Sequence, residues 1–260
     1  MLDVIRARMR QGIRTAAFPP EAVLPERFRG RPVLDPSRCT TACRECAMRA
    51  PSAAIRIRED GAPELDLGAC LFSPEEALAC PAGAIGYTTD YRMAGSSRDA
   101  LRTTGGKVDL AHALDERSRR LFGRSLKLRS VVAGSCNGCE AELVALGNVV
   151  FDLGRFGVQF VASPRHADGI VVTGAVNTNM RLALEKTYAA VPPPKLVIAV
   201  GACAISGGPF AGSPEVAGGV GDILPVDLWV PGCPPHPLTM IDGLLRLLGA
   251  IEGGKTRGVP

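Results

Sequence analysis

From residue 127 onward, short apolar runs alternate with longer stretches whose apolar residues recur at helical spacing. The runs at about 128–133, 158–162, 169–173, 195–200 and 227–230 read as strands. The stretches between them, at about 139–147, 179–190 and 237–248, read as helices. Strand and helix alternating in this way predict a parallel sheet with helices on both faces. The first half reads differently. Leu2, Ile5, Met9 and Ile13 form an apolar stripe over residues 1–17, with Arg6, Arg8, Arg10 and Arg14 around it. This predicts a helix that ends before Pro19-Pro20. It would pack on its own protein or a neighbour, or rest at a membrane surface. A connector over 93–126 holds the flexible runs Gly95-Ser96-Ser97 and Thr103-Thr104-Gly105-Gly106. Its Leu110, Ala113, Leu114 and Leu121 predict a helix over Val108–Phe122. The expected divisions are therefore 1–92, 93–126 and 127–260, the last a flavodoxin-like domain without flavin.

Three of the strand-like runs end in cysteine. Cys136 and Cys139 lie in Gly134-Ser135-Cys136-Asn137-Gly138-Cys139-Glu140, Cys203 in Gly201-Ala202-Cys203, and Cys233 in Gly232-Cys233-Pro234-Pro235. Loops at the carboxyl ends of parallel strands gather along one edge, so four thiols from three loops are expected at one point. Four thiolates suit zinc or an iron–sulfur cluster. The neighbouring glycines and prolines favour the cluster, because they let backbone approach the sulfurs and offer N–H groups to a buried anion.

Composition narrows the classes. Hydrophobic content of 46% supports a packed core. No apolar run reaches the ~18–20 residues that span a bilayer. The start, Met1–Arg6, lacks the apolar region of a secretory signal. The nine cysteines are therefore expected as reduced thiolates rather than disulfides. Charge is uneven: residues 1–130 hold 22 Lys/Arg against 16 Asp/Glu, and 131–260 hold 8 against 10. A basic first half suits an acidic partner or phospholipid. Dispersed basic residues and 5% aromatic content exclude nucleic acid as the partner.

Cys-x-x-Cys, Gly-x-Cys and Gly-Cys-Pro-Pro, separated by 64 and 30 residues, resemble one superfamily. It holds the small subunits of nickel–iron hydrogenases and the complex I subunit carrying the terminal cluster. Ser163–Gly174 carries the same likeness, which covers about 127–250. The complex I members have two adjacent cysteines at the first site, whereas here Ser135 precedes Cys136. That departure favours the hydrogenase branch. The sequence stops soon after Gly253, short of the further cluster-bearing domain of uptake hydrogenases, which points to the energy-converting group.

Residues 1–90 resemble the ferredoxin-like, two-cluster subunit of the same complexes, implying a small α+β fold. Such ferredoxins carry two C-x₂-C-x₂-C-x₃-C-P runs, the fourth Cys of each serving the other cluster. The first run here is Cys39, Cys43, Cys46, Ala50, Pro51, and the second Cys70, Ser73, Glu76, Cys80, Pro81. The exchange implies that Cys39, Cys43, Cys46 and Cys80 hold one cluster, while Ala50, Ser73 and Glu76 leave its twin without ligands. Cys70 is then spare, as a small buried residue or stray thiol. A metal-free or zinc-bound fold is the competing reading.

The resemblances together imply an electron-transfer subunit with two 4Fe-4S clusters, inactive alone, in an energy-converting hydrogenase. It would lie peripherally on the inner face of the cell membrane. Its partners would be a large subunit with the nickel–iron centre, other iron–sulfur or membrane subunits, and a ferredoxin-type donor or acceptor. The alternatives are a complex I-like, nickel-free oxidoreductase and a zinc-stabilised docking protein. Glu140 and Glu142 read either as helix-start carboxylates or as proton-path residues. His166 reads as a loop histidine or a relay, and His236 as a residue near the Cys233 sulfur. The run Gly207–Gly212 matches no phosphate-loop spacing and is expected to shield the cluster or meet a partner.

Overall fold

The computed structural model describes residues 2–20, 24–39, 43–105, 108–123, 125–252 and 255–256. The chain opens with α1 (Leu2–Gln11), shorter than the predicted 1–17, and none of its residues is buried. Leu2, Ile5, Met9 and Ile13 all face solvent, so the apolar stripe is not covered by the described residues of this chain. Thr40 to Ala42, which widen the first cysteine gap, lie outside the described residues, as does Gly106 of the connector.

The next segment runs β1 (Pro32–Leu34), α2 (Glu45–Arg49), β2 (Ile55–Ile57), β3 (Pro63–Asp66), α3 (Pro74–Leu78) and β4 (Ile85–Tyr87). β2 and β3 form an antiparallel hairpin around Asp60-Gly61, and β1 pairs antiparallel with β4. Two strand–helix–strand halves thus exchange their outer strands, which places the end of each half beside the start of the other. Leu34, Cys46, Ile55, Leu65 and Ile85 form its small core.

The connector is anchored at several points. β5 (Arg102–Thr103) adds to β3, and Gly95 pairs with Trp229 across a bridge. The helix predicted over Val108–Phe122 is α4 (Glu116–Phe122) alone. Residues ahead of it bond elsewhere: the Ala111 N–H donates to Ala94 O and the Leu114 N–H to Leu247 O. The helix starts only where the Asp115 side chain accepts from the Ser118 N–H.

The second half contains β6 (Leu126–Val132), α5 (Gly138–Ala145), β7 (Val158–Phe160), β8 (Gly169–Thr173), α6 (Thr178–Ala190), β9 (Leu196–Val200), α7 (Ala202–Ser206), β10 (Leu228–Val230) and α8 (Pro237–Leu247). The sheet order is β7-β6-β8-β9-β10 and every pairing is parallel. In chain order this is the 2-1-3-4-5 arrangement of flavodoxin-like folds. The expected architecture is therefore present. β8, β9 and β10 are buried throughout, which is why they read as continuous apolar runs. On one face Leu143, Met240 and Leu244 pack on Leu128, Val171 and Ile198. On the other, Leu184 and Ile205 pack on Ile170, Val172 and Val197. That second core also takes in Leu67, Cys70, Phe72 and Leu101, so the first half contributes to it directly.

Candidate metal centre

The loops after β6, β9 and β10 bring Cys136, Cys139, Cys203 and Cys233 to one edge of the sheet. Cys139 is buried in the first turn of α5, Cys203 is half-buried in α7, and Cys136 and Cys233 are exposed. The Cys139 thiol is pushed up to about 12, first by burial, then by Glu140 and by Cys203, Cys233 and Cys136. Cys203 is pushed up to about 11 by burial, then by Cys233 and Cys136. Cys233 is raised by burial and next by Cys136. Cys139, Cys203 and Cys233 are thus each close enough to Cys136 to be raised by it. Raised thiols are poor nucleophiles, but a metal centre would take them as thiolates and release their protons.

Backbone closes on these sulfurs where glycine allows it. Gly201 has φ +89°, and a Cβ there would lie 2.6 Å from the Cys139 sulfur. Gly208, in the Gly207–Gly212 run, would place a Cβ 2.8 Å from the Cys203 sulfur. That loop therefore passes directly against Cys203. A donor set of four thiols under close backbone fits an iron–sulfur group. Among the described residues, no three His, Cys, Asp or Glu side chains are drawn together tightly enough to hold a single metal ion.

Glu140 braces this edge. Its carboxylate accepts from the Ser135 hydroxyl at 2.5 Å and from the Thr173 hydroxyl at the end of β8. Glu142 is raised by burial and lines a cavity of about 250 Å³ shared with Arg27, Arg29, Phe72, Cys233 and His236. His236 caps α8, its Nδ1 accepting from the Leu238 N–H at 3.2 Å, and its ring lies edge-on to Phe28 and Phe151. Burial lowers its pKa, which favours the neutral ring. His166 is exposed between β7 and β8, at the opposite end of the sheet from the thiols, and His112 only donates its backbone N–H to Ser96.

The first half holds a second grouping. Cys39 is raised by burial, then by Cys43 and Cys80. Cys46, buried in α2, is raised by burial, then by Cys80, with Cys39 and Cys43 contributing. The exchanged strands thus place Cys80 with the three thiols of the first run. Of the other four positions of the ferredoxin-like pattern, Ala50 packs on the small core of Leu34 and Cys46, while Cys70 and Ser73 gather around Glu76, which is only 2% exposed. Its carboxylate accepts from Ser52 Oγ at 2.6 Å, the Leu71 N–H at 2.9 Å, Cys70 Sγ at 3.0 Å, Tyr87 Oη at 3.1 Å and the Ser73 N–H at 3.3 Å. Burial and then Glu76 push the Cys70 thiol well up, holding it as a donor. Ser52 and Tyr87 belong to no motif, and only the glutamate in a ligand position hinted at this compartment.

A family profile described as "NADH ubiquinone oxidoreductase, 20 Kd subunit" matches residues 136–247. Formate hydrogenlyase subunit 7 of Escherichia coli is 44% identical over 129 residues, 50% of this chain and 51% of that one. The probable membrane-bound hydrogenase subunit mbhJ of Pyrococcus furiosus is 43% identical over 129 residues, 50% of this chain and 77% of its own length. A subunit of the NADH-quinone oxidoreductase of Bacteroides thetaiotaomicron is 44% identical over 149 residues, 56% of this chain and 73% of that one. The chain thus spans about half the length of the first of these relatives. Among solved structures, that of the membrane-bound sulfane sulfur reductase, an archaeal respiratory membrane complex, is 32% identical over 55% of this chain and 78% of its own, with a TM-score of 0.46. With the matched segment carrying four of the five strands of the sheet and all four thiols of its edge, the chain belongs to the family of the 20 kDa subunit of NADH ubiquinone oxidoreductase.

Proposed function

We propose that this chain is the electron-transfer subunit of a membrane-associated, energy-converting hydrogenase complex. In this reading Cys136, Cys139, Cys203 and Cys233 hold one 4Fe-4S cluster, and Cys39, Cys43, Cys46 and Cys80 a second. When bound, such clusters accept and release single electrons. The chain's part is to hold the thiolates, shield the sulfurs with Gly201 and Gly208, and brace the edge through Glu140. The observation that carries the reading is the convergence of four thiols from three loops on one edge of the sheet, where backbone at Gly201 and Gly208 closes on the sulfurs. Cys136 and Cys233 are exposed there, which suits a large subunit docking over them with the nickel–iron centre. The first half, with its own four-thiol set, would exchange electrons with a ferredoxin-type partner or another iron–sulfur subunit.

Membrane association fits the name of the Pyrococcus relative. Among the described residues no helix is long and apolar enough to cross a membrane, so attachment would be peripheral, on the inner face. A second reading replaces hydrogen with quinone, as the Bacteroides relative's name indicates. The spacing of Cys136 and Cys139, with Ser135 ahead of them, favours the first.

The deciding experiment is purification of the native complex with metal analysis. Nickel together with iron and hydrogen turnover supports the hydrogenase reading. Quinone reduction without nickel replaces it by the second. Zinc without visible iron–sulfur absorbance sinks both.

A further inference from the structure

Among the described residues every other α-helix buries at least one side chain, whereas α1 buries none. Its Leu2, Ile5 and Met9 are 70%, 46% and 78% exposed. At 3.6 residues per turn these three fall within an arc of about 60°. Arg6 and Arg10 border one side of that arc and Arg8 the other. Exposed Ile13 and Arg14 continue the series past the end of the helix. A helix of ten residues gains little from propensity alone in water, and most helices are held by an apolar face that something covers.

The helix is tied to the rest of the chain at its base. The Ala16 N–H donates to Val150 O at 2.9 Å, and Ala16 O accepts from Arg155 Nη2 at 2.7 Å. Phe18 then packs on the Phe156 and Tyr91 rings. This stem is fixed beside Val149 and Val150, which are themselves exposed apolar residues. The uncovered arc and this patch therefore lie at the two ends of one short, anchored segment.

Two features choose the occupant. A protein groove that takes an amphipathic helix reads anchors at i, i+3, i+4 and i+7. Counted from Leu2, Ile5 and Met9 fill i+3 and i+7, but i+4 is Arg6. Arginines along the edge of an apolar arc suit a bilayer surface instead, where their stems lie on acyl chains and their guanidiniums reach phosphates. The charge has the matching sign, since residues 2–14 carry four arginines against Asp3 alone. Arg6 lies 3.7 Å from Asp3 and Arg8 donates to Gly12 O, while Arg10 and Arg14 have no partner among the described residues.

We propose that α1, with Ile13 and Arg14, docks on an anionic phospholipid surface, its apolar arc among the acyl chains and its arginines on the phosphates. The inference rests on the membrane-associated reading above and gives that association a site in this chain.

The test is co-sedimentation of the anaerobically purified full chain with lipid vesicles at low ionic strength. The chain should bind vesicles of phosphatidylglycerol and phosphatidylcholine in equal parts, ignore phosphatidylcholine alone, and be released by salt. Arg10→Gln with Arg14→Gln should weaken binding about fivefold for each arginine, about 30-fold together. Ile5→Ser with Met9→Ser should weaken it by more than about tenfold. None of these side chains is buried, so the urea midpoint should not move in either variant. Wild-type protein that ignores phosphatidylglycerol, or either double variant that binds as the wild type does, overturns the proposal. If the wild type ignores the vesicles and Ile5→Ser with Met9→Ser loses its partner subunits on purification, the face belongs to a protein instead. The vesicles hold no other subunit, so this result is separate from the metal analysis that decides the hydrogenase reading.

Discussion

Gly201→Ala is the sharpest probe of the sheet-edge site. Gly201 has φ +89° and ψ 157°, backbone that only glycine adopts readily, and it precedes α7, two residues ahead of Cys203. Alanine there costs about 1–3 kcal/mol in strain. Its Cβ would also lie 2.6 Å from the Cys139 sulfur, about 1 Å inside ordinary contact, with Gly232 O at 3.5 Å on another side. Overpacking of that kind costs about another 1–3 kcal/mol. The sum is a large share of a typical stability of about 5–15 kcal/mol. Gly212→Ala provides the reference, since Gly212 also has positive φ (+83°) but nothing within 4 Å of an added Cβ. It should cost only about 1–2 kcal/mol. The assay is urea unfolding of both variants, with iron and sulfide content after anaerobic purification. Gly201→Ala should unfold at clearly lower urea and hold about half the iron of Gly212→Ala, because the displaced Cys139 no longer completes its set. Equal midpoints and equal iron in the two variants would refute the claim that Gly201 is required by the sulfur beside it.

Wild-type protein should contain about eight irons and eight sulfides, from two four-iron clusters; about four would remove the N-terminal cluster, and about twelve would contradict the reading of Ala50, Ser73 and Glu76. Cys70→Ala should leave iron content intact, since that thiol donates to Glu76 rather than facing the other thiols, whereas Cys80→Ala should delete one resonance signal. Asp66→Ala removes the buried carboxylate that Arg98 grips with both Nη atoms, at 2.7 and 2.5 Å. It should lower unfolding stability by about 3 kcal/mol, the low end for such pairs because Arg98 is 26% exposed; a loss below about 1 kcal/mol would show that the pair does not hold the connector on β3. Cys139→Ala should stop electron flow to a large subunit and weaken its pull-down, while Cys46→Ala should stop only exchange with the external partner; normal flow through Cys139→Ala would take this centre off the path.

Sequence pattern shows the sheet clearly because burial on both faces leaves β8 and β9 with no polar position to blur the run. It shows β6 less well. Lys127 and Arg129 alternate with buried Leu126 and Leu128 there, and the strand starts two residues before the apolar run suggests. The connector misleads for a physical reason. Ala111 and Leu114 are spaced like a helix face, but their N–H groups donate to Ala94 and Leu247 instead of to carbonyls four residues back. Thiol groupings are legible because ligand spacing is a strong signal. The Glu76 network is not, since burial and the Ser52 and Tyr87 partners arise only when separate loops meet.

The packing between halves bears on the proposed path more than the connector does. Trp229 exchanges backbone hydrogen bonds with Gly95, at 2.9 and 3.0 Å, so residues of the connector cover the outer edge of β10. A Cβ on Gly68 would strike Ile205 at 2.6 Å, so the loop after β3 lies directly on the helix that carries Cys203. Cys70 and Phe72 share a core with Ile205 and Trp229. These contacts leave the four-thiol set of the first half and that of the sheet edge little freedom to move apart. Electron transfer falls steeply with distance, so a path between two such sets needs a fixed separation. Here that separation is set by one shared hydrophobic core and the Gly95–Trp229 pairing. Loosening the core at Gly68 should therefore slow transfer between the sets before it removes either one.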